Sequence, residues 1–238
     1  MLLPLLNLLF RDPLQFLVML PIILVTVGLA LLVAITVHEF GHALAAHALG
    51  DDTARRLGRL SLNPIRHLDP LGTILLFVIG FGWGKPVPVN PYAIGIRMDS
   101  MRAMALVAFA GPLANFVTAG LFGIPLKMAS LSPGGAFFGL PLLADGLVGD
   151  VFGYIVFYNI ILGVFNLIPI PPLDGFKVLL GLLPRQPAFA LARVETYGPM
   201  LLIAVLAFDS FSRQSVLWGI LRPAAEFISM LLAGRPLP

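Results

Sequence analysis

Cysteine is absent from the 238 residues. That excludes disulfides, thiolate metal sites and a thiol nucleophile, so any transition metal must be held by histidine and carboxylate. Charge is scarce too. Only 11% of residues are Asp, Glu, Lys or Arg, against about 25% in an ordinary soluble domain. With 58% hydrophobic residues and a mean hydropathy of +0.96, such a chain belongs in a bilayer. The net charge of +3 is small, and the basic residues gather in loops beside apolar segments. That pattern reads as membrane topology and argues against a nucleic-acid partner. No basic residue precedes the first apolar stretch, so a signal-peptide layout is missing, and residues 1–10 suit a short interfacial helix. Internal repeats and low-complexity tracts are lacking as well.

What is present is a series of apolar segments, consistent with one membrane-embedded domain over 1–238. Leu14 to Leu49 is continuous except for Pro21 and the group His38-Glu39-Phe40-Gly41-His42. A straight helix of that length would be about 54 Å long, against a hydrocarbon core of about 30 Å. One tilted or kinked span starting near Pro21 and ending at Gly50-Asp51-Asp52 is expected. Within the loop 51–102, Leu71–Trp83 is apolar but too short to span. Its Gly80, Gly82 and Gly84 alternate with Phe81 and Trp83, and Pro86, Pro88 and Pro91 follow, which predicts a re-entrant β-like element near residues 71–91 and not a helix. Further spans are expected at about 103–126 and 147–168, the latter closed by Pro169. A short helix follows Asp174, and weaker apolar stretches lie at 197–208 and 215–233. The fold expected is an all-α polytopic membrane protein of about five transmembrane helices, within a range of four to six. Seven Lys/Arg lie in 51–102 and three in 169–196, against Lys127 alone between the second and third spans. The positive-inside rule then puts both basic segments in the cytosol and the N-terminus outside.

The H-E-x-x-H group is the most specific signal. Residues i and i+4 share a helical face, so His38 and His42 can bind one Zn²⁺ without distorting the backbone. Glu39 sits about one-third of a turn round, poorly placed as a ligand but close enough to serve a water at the metal as general base. Gly50 marks a plausible membrane edge, and His42 lies about 12 Å inward of it. Ionisable groups at that depth cost several kcal/mol unless paired or metal-bound. His47, nine residues after His38, falls nearly half a turn to the other side and reads as a helix-terminal or interfacial histidine and not a ligand.

A catalytic zinc usually takes three protein ligands. The acidic candidates in suitable context are Asp69 and Asp174, and His67 is the remaining histidine. Asp174 follows Asn166-Leu167-Ile168-Pro169-Ile170-Pro171-Pro172-Leu173, where prolines break a helix at membrane depth, and such backbone is tolerated where it lines a polar cavity. Asp174 could there point back at the first helix. Spacing alone equally allows it to be the N-cap of a short helix at 175–183. Asn115 and Asn166 each sit beside a helix-disturbing proline and are candidates for holding an extended peptide or an oxyanion. Asn159, on the face of Asn166, equally suits helix–helix adhesion in lipid. Ala110 and Ala114, and Ala119 and Gly123, have the small-xxx-small spacing of close helix packing. Gly80, Phe81 and Gly82 are candidates for adding a strand to an unwound substrate, with interfacial anchoring through Trp83 as the alternative.

These segments resemble the site-2 protease family of intramembrane zinc metalloproteases. The resemblance rests on His38-Glu39-Phe40-Gly41-His42, on Asn166-Leu167-Ile168-Pro169 through Leu173-Asp174-Gly175, and on Gly111-Pro112-Leu113-Ala114-Asn115. Ser61-Leu62-Asn63-Pro64 with His67-Leu68-Asp69-Pro70, and Gly84-Lys85-Pro86-Val87-Pro88-Val89-Asn90-Pro91, resemble its compact prokaryotic branch. The resemblance implies one Zn²⁺ held by His38, His42 and Asp174, with Glu39 catalytic and Asn166 contacting substrate backbone or water. It implies hydrolysis of a peptide bond in or near the membrane segment of a single-pass protein, at a site opening toward the cytosol from a prokaryotic cell membrane. No inserted PDZ-like domain and no C-terminal nucleotide-sensing domain are expected. Other intramembrane chemistries lack their signatures: there is no Gly-x-Ser-Gly, and Leu147-Val148-Gly149-Asp150 lacks the first glycine of Gly-x-Gly-Asp. A zinc carrier without protease activity would need polar groups leading to both membrane faces, whereas residues 22–35 are almost wholly apolar.

Overall fold

The computed structural model describes residues 9–79, 82–94, 99–131, 147–211 and 216–234. Its first long helix, α1, covers Pro13–Ala48. It begins before the expected start near Pro21. The Asp12 side chain accepts the Gln15 N–H at 3.0 Å and Pro13 occupies the first turn, where its missing N–H costs nothing. Pro21 is simply carried inside the helix, as membrane helices tolerate. Gly50 follows with a φ of 104°, a left-handed conformation that suits a glycine just past a helix end.

Short elements come next: α2 (Thr53–Arg56), a 3₁₀ turn at Pro64–Arg66, α3 (Pro70–Ile79) and α4 (Pro91–Ile94). The β-like element expected near 71–91 is corrected over its first part, because Pro70–Ile79 is an α-helix. The reason lies at its start. Asp69 accepts the Gly72 N–H at 2.8 Å and Pro70 follows it, a capped helix entry that outweighs the β-branched and glycine content further on. Among the described residues of this region, β pairing is limited to one antiparallel bridge between Leu68 and Gly84. Gly80 and Phe81 lie outside the described residues.

The remaining helices are α5 (Ser100–Leu131), α6 (Leu147–Asn166), α7 (Asp174–Leu182), α8 (Arg185–Ala192), α9 (Gly198–Phe211) and α10 (Val216–Ala233). Among the described residues, five helical segments are long and apolar enough to cross a membrane, corresponding to α1, α5, α6, the run Arg185–Asp209 and α10. Helices α1, α5 and α6 pack on one another, α7 lies against α5, and α10 covers α5 and α6. Ala119 and Leu126 of α5, Val156 and Ile160 of α6, and Ala225 and Ala233 of α10 form one buried cluster. Small residues permit this closeness: a Cβ on Gly123 would lie 3.1 Å from the Leu232 carbonyl oxygen. By contrast, α9 packs chiefly on its own preceding turn, Arg193–Tyr197, and only 6% of the Arg185–Asp209 span is buried.

Candidate metal centre

His38 and His42 project from one face of α1 toward α5. Gly41, between them in sequence, lets the helices close: a Cβ there would sit 2.9 Å from the Ala114 Cβ and against the Ala110 carbonyl. Ala110 and Ala114, the small pair expected to serve packing, are thus the residues that receive α1. Gly111 serves the rings themselves. A Cβ on it would lie 2.5 Å from His42 Nε2 and 2.9 Å from His38 Cε1.

Asp174 reaches the same point from the other side. The chain after α6 carries Pro169, Pro171 and Pro172, which cannot continue helical bonding, and it turns back so that Gly175 lies on the end of α6. A side chain at Gly175 would strike the Leu167 carbonyl. Asp174 begins α7, but Leu173 holds the capping position and no side-chain cap bond forms. The capping alternative for Asp174 is therefore not the one the chain adopts. Its Oδ2 lies 3.0 Å from His38 Nε2 and 3.2 Å from His42 Nε2, and the two Nε2 atoms are 3.1 Å apart.

These three atoms form a nearly equilateral triangle whose chemistry fits Zn²⁺. Donors about 2.0–2.1 Å from a common centre in a tetrahedron are about 3.3 Å from one another, close to the separations observed. His42 Nδ1 lies 2.8 Å from the Val107 carbonyl, which can only accept, so Nδ1 carries the proton and Nε2 presents a lone pair. His38 Nδ1 lies 2.7 Å from Asn115 Oδ1, with the same consequence. Asp174 Oδ2 is buried and receives no aligned N–H from either ring. Three lone pairs thus meet at one point, an arrangement that repels itself unless a cation sits among them. His38, His42 and Asp174 form a group able to hold a metal ion.

Beside the triangle lies a cavity of about 910 Å³, walled by α1, α5, α6, α7, α9 and the segment 82–89. Glu39, Asn166 and Gly82 all border it, as do Tyr158 and Lys177. Glu39 Oε2 is buried without a hydrogen-bond partner, so the carboxylate is uncommitted. Asn166 donates to the Leu162 carbonyl at 3.0 Å. Asn115 requires a correction. Expected as a substrate contact, it is fully buried and does not border the cavity; its amide is engaged by His38, by the Ala34 carbonyl and by Asn159. A residue with a free Oδ1 and N–H was needed for the expected role, and both are already used.

Some neighbours of the site were not legible beforehand. Arg59 counts in the sequence only as one loop cation, yet it is 6% exposed. It donates to the carbonyls of Arg66, Lys85 and Pro86, tying the loop at Arg66 to the segment 82–89 that borders the cavity. Burial pulls its pKa below the ordinary value, and the Glu39 carboxylate works in the opposite direction. Gly84 in the pinned segment lies so near that a Cβ would be 3.4 Å from Glu39 Oε1. His67, weighed as a possible ligand, is instead fully buried and donates through Nε2 to the Ser61 carbonyl at 2.6 Å. His47 pairs with Asp52 at 2.7 Å at the end of α1, away from the triangle.

The model of peptidase family M50 matches residues 125–207, a stretch that includes Asp174 and Asn166. The chain is 37% identical over 209 residues to the Bacillus subtilis protein named "Putative zinc metalloprotease YwhC", covering 86% of this chain and 90% of that one. It is 30% identical over 184 residues to "Putative zinc metalloprotease Rip2" of Mycolicibacterium smegmatis, covering 76% of this chain and 66% of the relative. "Putative zinc metalloprotease MJ0611" of Methanocaldococcus jannaschii is 33% identical over 110 residues, 45% of this chain and 50% of that protein. No solved structure matches.

Proposed function

Since the chain belongs to peptidase family M50 and is a membrane zinc metalloendopeptidase of the site-2 protease type, we propose that it hydrolyses a peptide bond within or beside the transmembrane segment of a single-pass membrane protein. The observation that carries this is the position of the His38–His42–Asp174 triangle and Glu39 at a cavity walled by membrane helices. An enzyme acting on soluble chains has no need to bury its centre there, where ionisable groups are costly.

In this proposal His38, His42 and Asp174 hold the zinc. When bound, zinc supplies the Lewis acidity that acidifies water and polarises a carbonyl. Glu39 takes the proton from the attacking water and returns it to the departing amine. Asn166, bordering the same cavity, positions the substrate backbone. A helical segment hides its amides, so the substrate must be extended first. Gly82 and the segment that follows it to residue 89 border the cavity, and together with Gly80 and Phe81 they are the residues proposed to hold the substrate by strand addition. Entry from the bilayer fits the side occupied by α9, which lends Pro199 and Leu202 to the cavity wall while packing little on the other spans. The domain acts as one unit over 1–238, in a prokaryotic cell membrane, with the cavity opening to the cytosol beside the basic loop 51–102.

The test uses purified protein in proteoliposomes with a single-pass substrate, the cut located by mass spectrometry. Cleavage in or next to the membrane segment is expected. Glu39→Gln should retain zinc and lose cleavage. Preferential cutting of a soluble unfolded protein would overturn the membrane substrate, and undiminished cleavage by Glu39→Gln would overturn the base. Because the chain has no cysteine, single cysteines placed at Arg56 and Lys127 report sidedness directly. Only the first should be shielded from an impermeant reagent added outside intact cells.

A further inference from the structure

The two histidines of the triangle are oriented by different means. For His42 the partner of Nδ1 is a main-chain carbonyl, that of Val107, and no substitution can reverse its polarity. For His38 the partner is a side-chain amide, Asn115. An amide has two faces. Turned over, Asn115 would offer N–H to His38 Nδ1, drive the ring proton to Nε2 and aim that proton at the metal position.

What holds Asn115 the right way round lies on two further helices. Its Nδ2 donates to the Ala34 carbonyl of α1 at 2.9 Å and to Asn159 Oδ1 of α6 at 2.9 Å. Asn159 is itself oriented, because its Nδ2 donates to the Ile155 carbonyl at 2.8 Å. Both amides are fully buried. Each end of the chain of bonds is a carbonyl, which only accepts, so every member has one permitted orientation. The last bond leaves a lone pair on His38 Nε2.

We propose that Asn115 and Asn159 are positioning residues for zinc, a relay that fixes His38 in the tautomer able to bind the metal. This rests on His38 being a ligand. Asn159 touches neither the triangle nor the cavity and acts only through Asn115. The relay gives a polar group buried between α5 and α6 a chemical task beyond helix adhesion, and it makes the affinity of the centre depend on a residue two hydrogen bonds removed from it. Loss of such an outer partner typically weakens metal binding about 10–100-fold. Asn115→Leu is expected within that range. Asn159→Leu is expected near its lower end, about 10-fold, because Ala34 still favours the native amide orientation.

The experiment measures zinc affinity by chelator competition on purified protein in detergent, and the His38 tautomer by nitrogen chemical shifts of ¹⁵N-histidine-labelled, metal-free protein. Wild type should show His38 protonated at Nδ1, and both variants should shift population toward Nε2 protonation while losing affinity. Thr118→Val, a buried change one turn along α5 whose hydroxyl bonds only its own helix at the Ala114 carbonyl, should keep wild-type affinity and tautomer. If Asn115→Leu does not fold, Asn159→Leu carries the test through the same two measurements. Wild-type affinity in a folded Asn159→Leu, or weakened binding with the His38 tautomer unchanged, would overturn the relay. Failure of the ligand set looks different: His38→Ala would then bind zinc as wild type does, and the relay would fall with it.

Discussion

Replacement of Gly111 by alanine sets two effects of opposite sign against each other. In a helix interior alanine is favoured over glycine by about 1 kcal/mol, so propensity alone predicts a slightly more stable protein. The new Cβ, however, would stand 2.5 Å from His42 Nε2 and 2.9 Å from His38 Cε1. Contact between carbon and such atoms is comfortable at about 3.5–4.0 Å, so the rings or α5 must give way by about 1 Å. Neither can do so freely, since His42 Nδ1 is held by Val107 and His38 Nδ1 by Asn115. Overpacking of this kind costs about 1–3 kcal/mol, which cancels or exceeds the propensity gain. A displacement near 1 Å at a reacting centre costs about 10²-fold in rate. Gly111→Ala is therefore expected to unfold at the wild-type temperature or up to about 8 °C below it, yet to bind zinc more weakly and cleave a membrane substrate about 100-fold more slowly. Thermal unfolding in detergent, chelator competition and a gel-based cleavage assay measure the three quantities. A stabilised variant with wild-type zinc affinity and activity would refute the steric account.

Asp174→Ala should weaken zinc binding by more than the roughly 10–100-fold expected for an outer partner, because it removes one corner of the triangle; metal analysis after dialysis checks this. Arg59→Met should leave zinc content unchanged while freeing the segment 82–90. The loss of donors to Arg66, Lys85 and Pro86 is expected to destabilise by about 2–3 kcal/mol and to expose that segment to limited proteolysis. Asp51 gives a pH signature outside the membrane spans. Burial pushes its pKa up, but the bonds from Thr53 and Asn90 outweigh this and hold it below the ordinary 3.8. A lowered folded-state value means that the stabilisation is present above about pH 4 and disappears as pH falls through the depressed pKa. Asp51→Asn should thus be less stable than wild type by about 1–2 kcal/mol at pH 7 and should converge with it in strong acid, as unfolding curves across pH would reveal.

The apolar runs and the H-E-x-x-H spacing were legible because each is a local pattern with a fixed geometric meaning. Five spanning segments follow from run length, and two imidazoles four residues apart must share a helical face whatever else the chain does. Only the first part of the region 71–91, within Pro70–Ile79, departs from the expectation: alternation of glycine and aromatic residues near its end says little about the Asp69-Pro70 start, and helix initiation is decided at the start. Asn115 was misassigned for a different reason. Its position beside Pro112 was evident, but whether an amide in a membrane helix faces a cavity or another helix depends on the rotation of three helices about their axes, which no single segment encodes. Arg59 and the Val107 carbonyl were invisible for the same cause: one is a loop cation among several, and the other is a main-chain atom with no signature in any side chain.

The same locality explains why glycine, proline and asparagine gather where the chain is otherwise rich in leucine and valine. A helix interior disfavours all three, and in lipid a buried amide gains only if its partners are present. Around the triangle each departure from helical preference is matched by a need of the imidazoles. Gly41 and Gly111 remove side chains that would keep α1 and α5 apart. Gly175 and its preceding prolines let Asp174 return to a helix that ended at Asn166. Asn115 accepts a hydrogen bond from the His38 ring that leucine could not. Replacing any one of them with a better helix former should therefore favour the isolated helix and harm the centre, and that opposition of stability and metal affinity is what separates residues kept for chemistry from residues kept for packing.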